Sequence, residues 1–179
     1  MSMIGLGLFP FLTYYLYIVV PLAPLVYLFI KWRAYRNEQA TDPWLGAAVM
    51  LQYFWTLALQ LALFGMTLAL AGLIKGRNAE ELNPGLGLLT AGLIVLLAAF
   101  FALKRLPRSP LRSQSWRVFN ALNLLLCGLV ALVALCVSAI MLYEGKISDL
   151  RLPLPAFFIF AAAWYWFLYL LIGKNKKSG

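Results

Sequence analysis

From Trp44 to Ile74 the chain runs 31 residues without a single Asp, Glu, Lys or Arg. Such a run reads as a membrane-spanning helix. At 1.5 Å per residue it would measure about 46 Å, against about 30 Å for the hydrocarbon core of a bilayer. The helix must therefore tilt or extend past the bilayer at one end. Asp42-Pro43 stands directly before it; Asp is a good helix N-cap and Pro suits the first helical position.

Four more apolar runs are long enough, at about 20 residues, to cross a membrane: 9–30, 85–103, 118–143 and 152–172. With 44–74 they predict an all-α integral membrane protein, a bundle of five transmembrane helices forming one domain over 1–179. The composition agrees. Hydrophobic residues make up 64% and charged residues 12% of the 179, and a soluble domain of that size leaves too much surface exposed to hide such a fraction.

The boundaries carry their own signals. The first run holds Pro21 and Pro24, which predict a kink on a face shared with Tyr14 and Tyr17. It lacks a basic leader and a small-residue cleavage site, so it is expected to be retained and not removed as a secretory signal. Asn83-Pro84-Gly85 predicts a turn that opens the third span. Pro107 and Pro110 are expected to break any helix through 104–117, with Ser115 capping the fourth span.

Five spans place the termini on opposite sides. One side would carry eleven cations, Lys31, Arg33, Arg36, Lys104, Arg105, Arg108, Arg112, Arg117, Lys174, Lys176 and Lys177; the other only Lys75, Arg77, Lys146 and Arg151. Positive charge collects in cytoplasmic loops, so the N-terminus is expected outside and the C-terminus in the cytoplasm, in a bacterial inner (cytoplasmic) membrane. Trp32, Trp44 and Trp116 then fall at the cytoplasmic headgroup level. The net charge of +9 is read as orientation and attraction to anionic lipid, with no nucleic acid as partner. Lys104, Arg105, Arg108, Arg112 and Arg117 form the candidate contact for anionic headgroups or a docking protein.

Catalysis or ion coupling inside a membrane usually needs an ionisable group there. None of the five runs contains one, and the chain has no histidine. No catalytic residue, metal site or cofactor is predicted. Cys127 and Cys136 are nine residues apart, about 13 Å along a helix, too far for a disulfide between them.

What the runs do contain is a small set of polar groups. Gln52, Thr56 and Gln60 recur every four residues on one helix face. Asn120 and Asn123 sit near the cytoplasmic end of the fourth span, at a depth where they can meet Gln52. Together these five form a candidate polar intramembrane cluster. On the fourth span the same face continues as Cys127, Ala131, Ala134 and Ser138, a candidate packing stripe. In the third, Gly85, Gly87, Ala91 and Gly92 are small enough to let helices approach closely. The last span is aromatic, from Phe157 to Tyr169, and is expected to face lipid.

These features predict a non-enzymatic polytopic membrane protein acting through helix–helix association. Its role would be that of an accessory or scaffold subunit of a membrane complex, or a homo-oligomer, with membrane lipids and other membrane chains or itself as partners. The alternative is a small channel or carrier with an uncharged polar path lined by Gln52, Gln60, Asn120 and Asn123.

Overall fold

A computed structural model describes residues 22–36, 42–76, 79–107 and 109–173. The described residues are helical, with no strand among them. The elements are α1 (Leu22–Arg36), α2 (Leu45–Ile74), α3 (Ala79–Arg105), α4 (Pro110–Tyr143), a short 3-10 turn (Ile147–Arg151) and α5 (Pro153–Gly173). The last four α-helices, α2 to α5, contain segments long and apolar enough to cross a membrane. Of the first predicted span, 9–30, only residues 22–30 are described. Tyr14, Tyr17 and Pro21 lie outside the described residues, and the helix that is described runs on past Ile30 to Arg36.

Several boundaries differ from the sequence reading, each for a local reason. The predicted turn at Asn83-Pro84-Gly85 is absent: α3 begins at Ala79 and carries Pro84 as its sixth residue. A proline that early removes one backbone bond, to a carbonyl one turn back on the exposed residue Glu80, which water can satisfy. The fourth span begins at Pro110, eight residues before the predicted 118, because Pro110 occupies the first helical position instead of breaking the helix. Ser109, and not Ser115, is the cap; its hydroxyl accepts from the Arg112 N–H at 3.3 Å. Asp42 caps a turn just ahead of α2, accepting from the Trp44 N–H at 2.9 Å.

Two antiparallel hairpins make the bundle, α2 with α3 and α4 with α5. The first is held at backbone distance. On α2 the small residues Ala58, Ala62, Gly65, Ala69 and Gly72 alternate three and four apart, and all are buried. On α3 the buried Gly85, Gly92 and Ala99 recur every seven. A Cβ on Gly92 would stand 2.8 Å from both the Ala58 carbonyl and the Ala62 nitrogen, and Gly85 meets the Ala69 backbone closer still. A 3.5-residue repeat keeps such a seam facing its partner along a left-handed supercoil. In lipid, where apolar side chains gain nothing by leaving water, close backbone approach is what supplies attraction. The glycines Gly76 and Gly145, at φ of 79° and 70°, end α2 and α4 in the left-handed conformation.

Helix α2 is the centre. It packs against α1, α3, α4 and α5. At its N-terminal end Leu45, Val49 and Tyr53 join Ile30 and Ala34 of α1 and Leu111 and Phe119 of α4 in one apolar cluster. Further along, Cys127 and Ala131 of α4 meet Phe160 and Phe167 of α5 in a second. Trp55 packs between Trp116, in a tilted contact at 5.1 Å, and Phe167, edge-on at 6.4 Å, between ring centroids. The aromatic α5 divides accordingly: Phe160 and Phe167 are buried, while Phe158, Tyr165, Trp166 and Tyr169 are exposed.

A polar seam between two parallel helices

Helices α2 and α4 run parallel, and four of the five predicted polar residues meet along their contact. The Ser115 hydroxyl donates to Gln52 Oε1 at 2.6 Å. Asn123 Nδ2 donates to Thr56 Oγ1 at 3.2 Å. Gln60 Nε2 donates to Asn123 Oδ1 at 3.1 Å and reaches Cys127 Sγ at 3.7 Å. Gln52, Thr56, Gln60 and Asn123 are each at most 2% exposed, so the bonds form in a dry contact. There an unpaired amide would cost several kcal/mol.

Asn123 fixes the geometry. Its oxygen accepts from one residue of α2 and its nitrogen donates to another, one helical turn earlier. A shift of α4 by one turn would separate both pairs. The seam therefore sets the axial register of α4 on α2, where apolar contacts alone would tolerate sliding.

Ser115 was missed as a seam residue. A span starting at 118 makes Ser115 a cap; with the helix beginning at Pro110, Ser115 lies two turns before Asn123, opposite Gln52. Asn120, expected in the cluster, is buried at 4% exposure but stands apart from the network, and its Oδ1 has no hydrogen-bond partner. The predicted meeting of Gln52 with Asn120 and Asn123 is replaced by the pairing of Gln52 with Ser115. Of the packing stripe, Cys127, Ala131, Ala134 and Ser138 are all buried, and the Ser138 hydroxyl is spent on the Ala134 carbonyl of its own helix at 2.7 Å.

The basic segment is less uniform than its sequence. Lys104 and Arg105 close α3, and Lys104 Nζ lies 4.5 Å from the centroid of the Phe100 ring. Arg112 is half-buried, donates from Nη1 to the Leu106 carbonyl at 2.9 Å and holds the turn between α3 and α4. Arg117 is exposed on α4. Arg108 lies outside the described residues. Among the described residues one acid joins this end of the bundle: Asp42, whose carboxylate accepts a hydrogen bond from the Ser109 hydroxyl. That bond holds the Asp42 carboxyl below its ordinary value; partial burial opposes it, and the Trp44 N–H and Arg112 assist.

The described cations at this end, Lys31, Arg33, Arg36, Lys104, Arg105, Arg112 and Arg117, gather at the ends of α1 and α3 and the start of α4. The opposite end carries Lys75, Lys146 and Arg151 together with Glu80, Glu144 and Asp149. Among the described residues no group of three or more His, Cys, Asp or Glu could hold a metal ion. Comparison of the chain with known protein families, with curated proteins and with solved structures finds no match.

Proposed function

We propose that the chain is a non-enzymatic polytopic membrane protein that acts through helix–helix association, as a subunit of a membrane complex or as a homo-oligomer. In this reading five helices span a bacterial cytoplasmic membrane, with the N-terminus outside and the basic end of the bundle in the cytoplasm. The observation that carries it is on α3. Its small residues divide between two faces. Gly85 and Gly92 are buried in the seam with α2, whereas Gly87 and Ala91, four apart, are exposed on the side away from it. A Cβ added at Gly87 meets nothing within 4 Å. A small residue repeated after four in a lipid-facing helix is the pattern by which transmembrane helices approach one another. Helix α3 already uses that chemistry once, on its inner side.

The test is disulfide crosslinking in native membranes, in a chain whose own cysteines are replaced by serine. Ala91→Cys is expected to give a discrete adduct, at twice the chain mass for a homo-oligomer or at another fixed mass for a complex. Leu86→Cys, on a different flank of the same helix, is expected to give much less. Equal adducts at both positions, or none at either, would refute association through this face. The channel reading draws on Asn120 Oδ1, an acceptor left open in the interior. Against it, Gln52, Gln60 and Asn123 are bonded to partners within the chain, and groups paired in this way are not available to a passing solute.

A further inference from the structure

A groove of about 410 Å³ runs along the outer side of the α4–α5 hairpin, lined by Ala121, Leu124, Leu125, Gly128 and Leu132 of α4 and by Trp164 of α5. Its floor exists because residue 128 is glycine: the Trp164 indole lies across it, 2.9 Å from where a Cβ would be. Helical periodicity places Arg117, which does not itself line the groove, in line with its end. Arg117 precedes Ala121, Leu124, Gly128 and Leu132 by four, seven, eleven and fifteen residues, so all five share one face of α4. Arg117 is exposed. From Arg117 to Gly128 the helix rises about 16 Å, close to half of the roughly 30 Å hydrocarbon core.

A cation at the headgroup level, above an apolar trough one leaflet deep, is complementary to an amphiphile with a negative head. We propose that this groove binds an anionic phospholipid, with its phosphate on Arg117, one acyl chain laid along Ala121 to Leu132, and the Trp164 ring forming the wall at mid-bilayer. The guanidinium supplies charge-assisted hydrogen bonds to phosphate. The trough confers shape, which distinguishes this site from general attraction of the basic end to a charged surface. It is independent of the α3 face and of which side of the membrane the basic end occupies.

The experiment uses the full chain in phosphatidylcholine vesicles in which the mole fraction of brominated-chain phosphatidylglycerol or, in parallel, of brominated-chain phosphatidylcholine is raised stepwise from a small value. Bromine quenches tryptophan at contact, and the Trp164 share is the difference between the native chain and Trp164→Phe. Quenching of Trp164 is expected at about fivefold lower mole fraction of the anionic lipid, the equivalent of about 1 kcal/mol for one cation at an anionic surface. Arg117→Gln is expected to make the two lipids equal while Trp164 stays quenchable. Equal quenching by both lipids in the native chain would overturn the proposal and leave only bulk lipid. Protection of Trp164 from both would overturn it too, because another helix then covers the groove. Native mass spectrometry of the unmutated chain, which needs no variant to fold, is expected to retain phosphatidylglycerol in preference to phosphatidylcholine; no preference would also count against the site.

Discussion

The bond between Gln60 and Asn123 makes a quantitative prediction. Asn123→Leu keeps the number and branching of the side-chain heavy atoms, although its methyl groups are bulkier than the amide, and removes two hydrogen bonds, one to Gln60 and one to Thr56. Interhelical hydrogen bonds within membranes average about 0.6 kcal/mol and reach about 1.7, so the pair amounts to about 1–3 kcal/mol. The full penalty for orphaned partners is not added, because Gln60 keeps its contact with the Cys127 sulfur. Gln60→Leu removes the shared bond from the other side. If that bond is what links the two residues, the double variant should lose less stability than the sum of the singles, by about 0.6–1.7 kcal/mol. The measurement is equilibrium unfolding of the four proteins in bicelles of one composition, read by steric trapping. Singles that add within about 0.3–0.5 kcal/mol, the ordinary spread for independent sites, would refute the reasoning, as would an Asn123→Leu chain of unchanged stability.

Two further outcomes follow from the same structure. Gly92→Ala must push α3 away from the Ala58 and Ala62 backbone and is expected to cost about 1–3 kcal/mol by overpacking. Gly87→Ala, with open space at its Cβ, should instead be neutral or stabilising by up to about 1 kcal/mol through helix propensity in a detergent that keeps the chain monomeric; the reverse order would show that the α2–α3 seam is not set by Gly92. The second outcome concerns pH. The Asp42 carboxyl is held below its ordinary value of 3.8, so it contributes stability that is fully present above that value and is lost as pH falls through the lower folded value. Thermal unfolding in detergent should thus be flat in this respect from neutral pH to about 5, with a decline at still lower pH that Asp42→Asn abolishes. An equal decline in Asp42→Asn would assign it to other groups.

The helices were legible because a run such as Trp44–Ile74 admits few readings, and the loops were not. Pro84 reads from sequence as part of a turn and Pro110 as a helix breaker, yet both positions lie where a helix tolerates proline: one in the first two turns, the other at the first residue. That misplacement of the start of α4 is what hid Ser115. The facing of the polar residues was readable from their spacing, since Gln52, Thr56 and Gln60 had to turn from lipid and Asn123 was an amide at matching depth. The pairing itself was not, because it depends on axial register, and register is a property of two helices together. The closest contact in the fold was readable in part. Gly85 and Gly92 stand out in sequence as small, whereas the complementary small residues of α2, from Ala58 to Gly72, are spread among leucines in a run whose apolar content masks their spacing.

Helix α2 joins these two kinds of contact and shows why a membrane protein needs both. Thr56 and Ala58 are two residues apart, about 200° around the helix, so the polar seam and the small-residue seam lie on roughly opposite sides. Leucine against leucine would serve neither side, because lipid chains offer α2 the same apolar contact that a neighbouring leucine does. On one side the alternative is directional: Gln60 and Asn123 have no comparable partner in hydrocarbon, so their bond favours α4 over lipid and favours one register over its neighbours. On the other side the alternative is proximity: with glycine and alanine facing each other, α3 approaches to a distance that no acyl chain can match. The first is specific in register and modest in energy. The second is tight along its length and, with so regular a repeat, less selective of register, and the short connection between Ile74 and Ala79 supplies what it lacks. The seam that depends on side-chain amides joins helices separated in sequence, and the seam without them joins neighbours. The directional groups thus stand where the chain's own connectivity constrains register least.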